Sequence, residues 1–98
     1  MPQIITSQTF DRWLDSLRDV RAQVRIAARI TRLEAGNPGD VKPIGNGLSE
    51  MRIDYGPGYR VYFMQRGHLV VVLLCGGDKA TQQADITKAK AIAADFKE

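Results

Sequence analysis

The fold is decided by three consecutive pieces of the second half of the chain: Leu48-Ser49-Glu50-Met51-Arg52-Ile53-Asp54, then Gly58-Tyr59-Arg60-Val61-Tyr62-Phe63, then Leu69-Val70-Val71-Val72-Leu73-Leu74-Cys75-Gly76-Gly77-Asp78-Lys79. In the first, Met51 and Ile53 fall on one side and Glu50, Arg52 and Asp54 on the other, the period of a strand. Asp54 to Gly58 has the composition of a turn, and Tyr59 to Gln65 forms the next strand. Arg66-Gly67 turns the chain again, and His68 to Cys75 makes a third strand. Its apolar run shows no alternation, so both of its faces are expected to be covered.

Working outward, Gln3-Ile4-Ile5-Thr6 reads as a short strand. Thr6 or Ser7 then caps a helix whose apolar residues Phe10, Trp13, Leu14 and Leu17 repeat at helical spacing. Asp19 starts a second helix running to about Ala35, with Val20, Val24, Ala27, Ile30 and Leu33 as its expected apolar stripe. Gly36-Asn37-Pro38-Gly39 ends it, and residues 36–47 read as irregular. At the C-terminal end Ile86, Ala89, Ala93 and Phe96 keep helical spacing, with Thr81 or Asp85 available as cap. The predicted order is β-α-α-β-β-β-α: an α+β fold, with a helical hairpin packed on a small, mostly antiparallel sheet. Residues 1–98 form one domain, because 98 residues cannot hold two cores.

Composition narrows the functional classes. The chain has 14 Lys+Arg against 11 Asp+Glu, a formal charge of +3. The excess is concentrated: Arg18, Arg21, Arg25, Arg29 and Arg32 lie within residues 18–32, with Asp19 the only acid among them. Such a surface suits an anionic partner, nucleic acid or an acidic protein segment. The apolar run Leu69–Cys75 is far too short to span a bilayer, and no secretory leader is visible, so a cytoplasmic protein without a membrane partner is expected. Cys75 is the single cysteine, a small core residue in a reducing compartment.

Arg52 and Arg60, placed on a rigid sheet, are suited to hold and polarise a phosphodiester, since a guanidinium forks onto two phosphate oxygens and stays ionised. Lys79, after the last strand, adds a mobile charge. By spacing alone these are equally the solvated or salt-bridged face of a strand. Arg21, Arg25, Arg29 and Arg32 form one cationic stripe on the second helix; it could grip RNA phosphates, meet an acidic protein segment or be simply a polar helix face. Tyr59 and Tyr62 could stack on a base, and Tyr62, sharing a face with Arg60, is the better placed. His68 is the sole histidine, which leaves no histidine pair and no zinc cluster. Gly76-Gly77-Asp78-Lys79 lacks the spacing of a phosphate loop, so no nucleotide, metal or other small-molecule cofactor is expected.

The three segments quoted, with Ala80-Thr81-Gln82, Asp85-Ile86 and the final Ala/Lys helix, resemble the RelE/ParE superfamily of toxins from type II toxin–antitoxin modules. Within it they are most similar to the phage-derived addiction-module killer proteins related to HigB. The resemblance implies a metal-independent endoribonuclease, an mRNA interferase that enters the ribosomal A site, cleaves the messenger and inhibits translation. It also implies a cognate helix-turn-helix antitoxin of the HigA/XRE kind as partner. Carried over position by position, the catalytic cations are Arg52, Arg60 and Lys79. Glu50 stands where RelE has a lysine, RelE's late tyrosine has no counterpart, and the histidine–aspartate set of some HigB toxins is missing apart from Asp78. Glu50 and Asp78 are therefore the candidates for acid and base. Two alternatives stay open: a non-enzymatic, ParE-like inhibitor of DNA gyrase, and an inactive relative that only binds its antitoxin.

Overall fold

The computed structural model describes residues 2–96. The chain starts with strand β1 (Gln3–Thr6), followed by helices α1 (Gln8–Ser16) and α2 (Val20–Glu34). Four strands follow, β2 (Val41–Gly45), β3 (Leu48–Ile53), β4 (Tyr59–Arg66) and β5 (Val70–Asp78). A single 3-10 turn (Lys79–Thr81) leads into α3 (Gln82–Asp95). The sheet is five-stranded in the order β1-β5-β4-β3-β2, antiparallel except for the β1–β5 pair. The fold is α+β, mostly antiparallel, with three helices.

An apolar cluster covers each face of the sheet. Phe10, Ile26 and Leu33 of α1 and α2 bury Met51, Ile53, Val61, Phe63, Val71 and Leu73 on one face. Ala89 of α3, with half-buried Ile86, Ile92, Ala93 and Phe96, covers Leu48, Tyr62, Met64, Val72 and Leu74 on the other. The unalternating apolar run of β5 is thus covered on both sides, as its sequence requires.

At the first two helices the caps agree with the sequence. Ser7 Oγ accepts the Phe10 N–H at 3.0 Å, and Asp19 Oδ1 accepts from Arg21 N and Ala22 N at 2.9 and 3.3 Å. At the third helix neither expected residue caps: Thr81 occupies the N-cap position without a side-chain bond. Asp78 instead caps the preceding 3-10 turn through Ala80 N.

Two expectations are corrected. Residues 41–45, read as irregular, are an edge strand paired with β3. Pro43 and the glycines at 45 and 47 hid the signal, and an edge is where a sheet tolerates a proline. The apolar stripe of α2 keeps the expected Leu33, with Ile30 packed against the core, but is rotated over its first half. Ala22, Ile26 and Leu33 are buried, while Val20 and Val24 are 67% and 63% exposed. Gln23 sets this rotation by donating to the carbonyls of Leu14 and Leu17, both at 3.1 Å, which fixes the side of α2 that meets α1. Ala22 then turns towards the sheet, where its small side chain is fully buried.

A bulge in β5 controls everything beyond it. Tyr62 pairs with Cys75 but Phe63 with Leu73, leaving Leu74 as the extra residue. Ser7 Oγ donates to the Leu74 carbonyl at 2.5 Å, so the hydroxyl that caps α1 also satisfies the bulge. Parity flips there: Gly76 faces α1 and Gly77 faces α3. A Cβ at Gly76 would lie 2.3 Å from the Trp13 ring, and one at Gly77 would lie 1.8 Å from Asp85 Oδ2. Both glycines are required by close approach.

Candidate functional site

At the end of the sheet where β3 finishes and β4 begins, an open groove of about 420 Å³ is lined by Asp40, Arg52, Ile53, Asp54, Gly58, Tyr59, Arg60 and Lys79. The sheet register places Arg52 directly opposite Arg60 on neighbouring strands. Lys79 arrives from beyond the β5 bulge, on the turn into α3. Three cations that are scattered in sequence thus face one space.

Like charges opposite each other across a ladder are destabilising, so each arginine needs its own counterion. Arg52 Nη2 donates to Asp40 Oδ1 at 2.7 Å, with side chains 44% and 56% exposed. Both groups are wet, and the pair can open to admit another anion. The hydrogen bond from Arg52 holds the Asp40 carboxyl below the usual carboxylate range, and the same bond raises the guanidinium. Arg60 is in a different environment. Its Nη1 donates to Glu50 Oε1 at 2.9 Å, with side chains only 13% and 1% exposed. Glu50 Oε2 also accepts from Gln82 Nε2 of α3 at 2.8 Å, tying helix to sheet. Lys79 is exposed, with no ion pair among the described residues.

The expected acid–base residues are occupied. Glu50 is buried and spends both oxygens on Arg60 and Gln82. Asp78 uses its carboxylate to cap the 3-10 turn and is absent from the groove lining. The carboxylates the groove does offer are Asp40 and Asp54, both exposed. The aromatic candidates also exchange roles. Tyr62 shares the face of Arg60 but is fully buried under α3, so its ring has no surface for a base; burial and the nearby Glu50 carboxylate push its hydroxyl far up. Tyr59 is half-buried at the groove, with its ring edge-on to Trp13 at 6.3 Å between centroids. Cys75 offers no nucleophile: it is buried, and burial pushes its thiol up to about 12. Among the described residues no group of three or more His, Cys, Asp or Glu is placed to hold a metal ion.

The cationic stripe of α2 divides into two functions. Arg29 donates to the carbonyls of Arg52 at 2.6 Å, Pro38 at 3.0 Å and Asp40 at 3.2 Å, so it fastens the loop before β2 to the end of β3. Burial lowers its guanidinium from the ordinary arginine value. Gly39 is seated against the Arg29 side chain in a left-handed conformation, φ 73°, that leaves room for the guanidinium. Arg25 instead lies over the Tyr55 ring at 4.6 Å, and Tyr55 donates to Asp19 Oδ2 at 2.9 Å. Arg25 and Arg32, with Arg29, line a smaller depression of about 240 Å³ that shares Ile53 and Asp54 with the groove. Positive charge therefore continues from the groove along α2.

Asp54 and Asp40 are the groove carboxylates that sequence reasoning passes over, and of the two Asp40 pairs with Arg52. Its signal was legible only through β2: with Val41 opposite Met51, the next step of the ladder brings Asp40 to Arg52. The Arg52 N–H donates to the Asp40 carbonyl at 2.9 Å, which continues that register.

Residues 12–97, which include every residue of the groove, match the family described as Phage derived protein Gp49-like (DUF891). The chain belongs to this family. Gp49-like proteins are associated with addiction-module killer proteins and RelE-like toxins. A protein of Haemophilus influenzae, described as uncharacterized, is 53% identical over 91 residues, covering 93% of this chain and 92% of its own length. The family match takes in α2, α3, the strands β2 to β5 and the groove of this Gp49-like chain. Among the described residues no helix is long and apolar enough to cross a membrane.

Proposed function

We propose that this Gp49-like chain is the toxin of a type II toxin–antitoxin module and acts as a ribosome-dependent mRNA endonuclease. A cognate helix-turn-helix antitoxin neutralises it. The observation that carries the reading is the convergence of Arg52, Arg60 and Lys79 on one open groove, continued by the cations of α2. An open groove with a cationic approach suits a polyanion that must be threaded rather than enclosed.

The reaction is an in-line attack by the ribose 2′-oxygen on the adjacent phosphorus. The P–O2′ bond forms, the P–O5′ bond breaks, and the products are a 2′,3′-cyclic phosphate and a 5′-hydroxyl. The proton leaving the 2′-oxygen passes to a carboxylate of the groove, Asp54 or Asp40, and the departing 5′-oxygen takes one from the Lys79 ammonium. Arg60, held rigid by Glu50, is the fixed clamp on the phosphate. Arg52 exchanges Asp40 for a phosphate oxygen, and Lys79 neutralises the charge that builds on the phosphorane. Tyr59 is the aromatic placed to stack on a neighbouring base.

One observation favours a non-cleaving reading: each arginine already has a carboxylate partner within 2.9 Å. A protein that only binds gyrase, or only its antitoxin, would keep those pairs closed. Primer extension on a reporter mRNA in a purified translation reaction, with and without ribosomes, separates the cases. Wild type is expected to cut only with ribosomes present, and Lys79→Ala to cut at least ~100-fold more slowly, the scale of losing one transition-state charge contact. Lys79 is the better first variant because, unlike Arg60, it carries no structural pair. Growth arrest without cuts would replace this reading with gyrase-type inhibition, and neither cuts nor arrest would leave an antitoxin-binding relative.

A further inference from the structure

Of the exposed large apolar residues, Leu69 stands alone near the β4–β5 turn, whereas Val20 and Val24 lie one turn apart on α2. At 100° per residue, Val20, Val24, Ala27 and Thr31 fall within an arc of roughly 60° on the outer side of that helix. All four are exposed. Arg21, Arg25 and Arg32 occupy the adjoining strip of about 40°, and they too are exposed. Between Val20 and Leu33 the helix has no carboxylate. The sequence reading assigned Val20, Val24 and Ala27 to the core, and none of the described residues covers them.

We infer that the outer face of α2 is a docking surface for an acidic amphipathic helix of a protein partner. The apolar stripe from Val20 to Thr31 is about 16 Å long, which matches three to four turns of a facing helix. Its one-sided arginine border selects a helix with carboxylates along the matching flank, because charge complementarity sets both register and orientation. A second copy of this chain is a poor occupant, since it would bring two arginine rows together. RNA would meet the arginines but gain nothing from the valines. A lipid surface is disfavoured because the stripe is narrow and lacks the Trp, Phe or Leu that anchor interfacial helices. The same arginine strip leads towards the groove, so a helix seated there would cancel the positive approach without entering the groove. The inference rests on the toxin reading only for identifying that helix as part of an antitoxin.

The test is fluorescence anisotropy with a labelled, end-blocked helical peptide of about 18 residues, carrying leucines on one stripe and glutamates along one flank. A glutamine version is the control. Wild type is expected to bind the glutamate peptide and to bind the glutamine version at least tenfold more weakly, on the scale of lost charge pairing across an interface. Val20→Ser/Val24→Ser should weaken binding on the order of tenfold for each valine lost, from the apolar area involved. Arg21→Gln/Arg32→Gln should weaken it and flatten its salt dependence. All four positions are exposed, so unchanged melting temperatures certify the variants. Undiminished binding by the valine variant would overturn the proposal, because the peptide would then be sitting on groove cations. So would absence of binding to wild type at about 1 mM, the weak limit of specific affinity. Valine-dependent binding of a 20-nucleotide RNA, or of phosphatidylserine vesicles, in place of the peptide would also overturn it. The assay contains no ribosome or messenger, so docking and cleavage can fail separately.

Discussion

Removing Arg60 is expected to unfold the protein more readily before it says anything about catalysis. Glu50 is 1% exposed, and its carboxylate has two side-chain donors, Arg60 at 2.9 Å and Gln82 at 2.8 Å. In Arg60→Ala the charge stays buried with only the Gln82 amide to oppose it. Breaking one side of a buried pair costs about 3–5 kcal/mol, and the surviving amide puts this case near the lower figure. For a domain of this size, about 3 kcal/mol lowers the melting temperature by roughly 15 °C. Glu50→Leu/Arg60→Met removes both charges while keeping volume, and should melt within about 1 kcal/mol of wild type, since a buried ion pair adds little over an apolar replacement. Thermal and urea unfolding of wild type, Glu50→Leu, Arg60→Met and the double form a cycle that isolates the coupling. An Arg60→Ala variant melting within about 3 °C of wild type would refute the reasoning, because that shift is below 1 kcal/mol. If the prediction holds, lost cleavage in Arg60→Ala has two causes, and only the stable double variant separates them.

Arg29→Lys cannot reach three carbonyls with one ammonium, so exchange of the Arg52 amide with solvent should accelerate and stability fall by about 1–2 kcal/mol; unchanged exchange with weakened RNA binding would instead make Arg29 a phosphate contact. Gly76→Ala places a Cβ 2.3 Å from the Trp13 ring and should cost roughly 1–3 kcal/mol with a red shift of the tryptophan emission. An unshifted spectrum would mean that α1 sits farther from β5. Asp19 is held below its ordinary value of 3.8, first by the Tyr55 hydroxyl and then by the backbone N–H groups it caps. Its stabilising effect is therefore present above the unfolded carboxylate value and lost as pH falls through the depressed folded value. Tyr55→Phe should move the Asp19 midpoint, followed by carboxyl NMR, upward towards 3.8, and an unmoved midpoint would remove Tyr55 from the cap.

The sequence by itself determined the elements whose cause is local. Period two in 48–54, helical spacing in 10–17, the caps at Ser7 and Asp19, and a fully apolar β5 need only neighbouring residues to be read. It also named the three cations of the groove, although the family resemblance rather than spacing singled them out. What the tertiary structure decided is where side chains with two plausible directions point. Helix α2 carries two stripes at helical spacing, and the contact of Gln23 with the end of α1 chose Ile26 over Val24 as the buried one. Strand β2 exists only because β3 offers an edge to pair with, so Asp40 reaches Arg52 through a register no local signal encodes. The bulge at Leu74 reverses parity, and with it the faces of Gly76 and Gly77 on the approach to Lys79. The face that promised Tyr62 to the site is the face α3 covers, which left Tyr59 at the groove. Periodicity fixes which residues share a side; only packing between distant segments fixes which side is buried, and charge and solvent access follow from that.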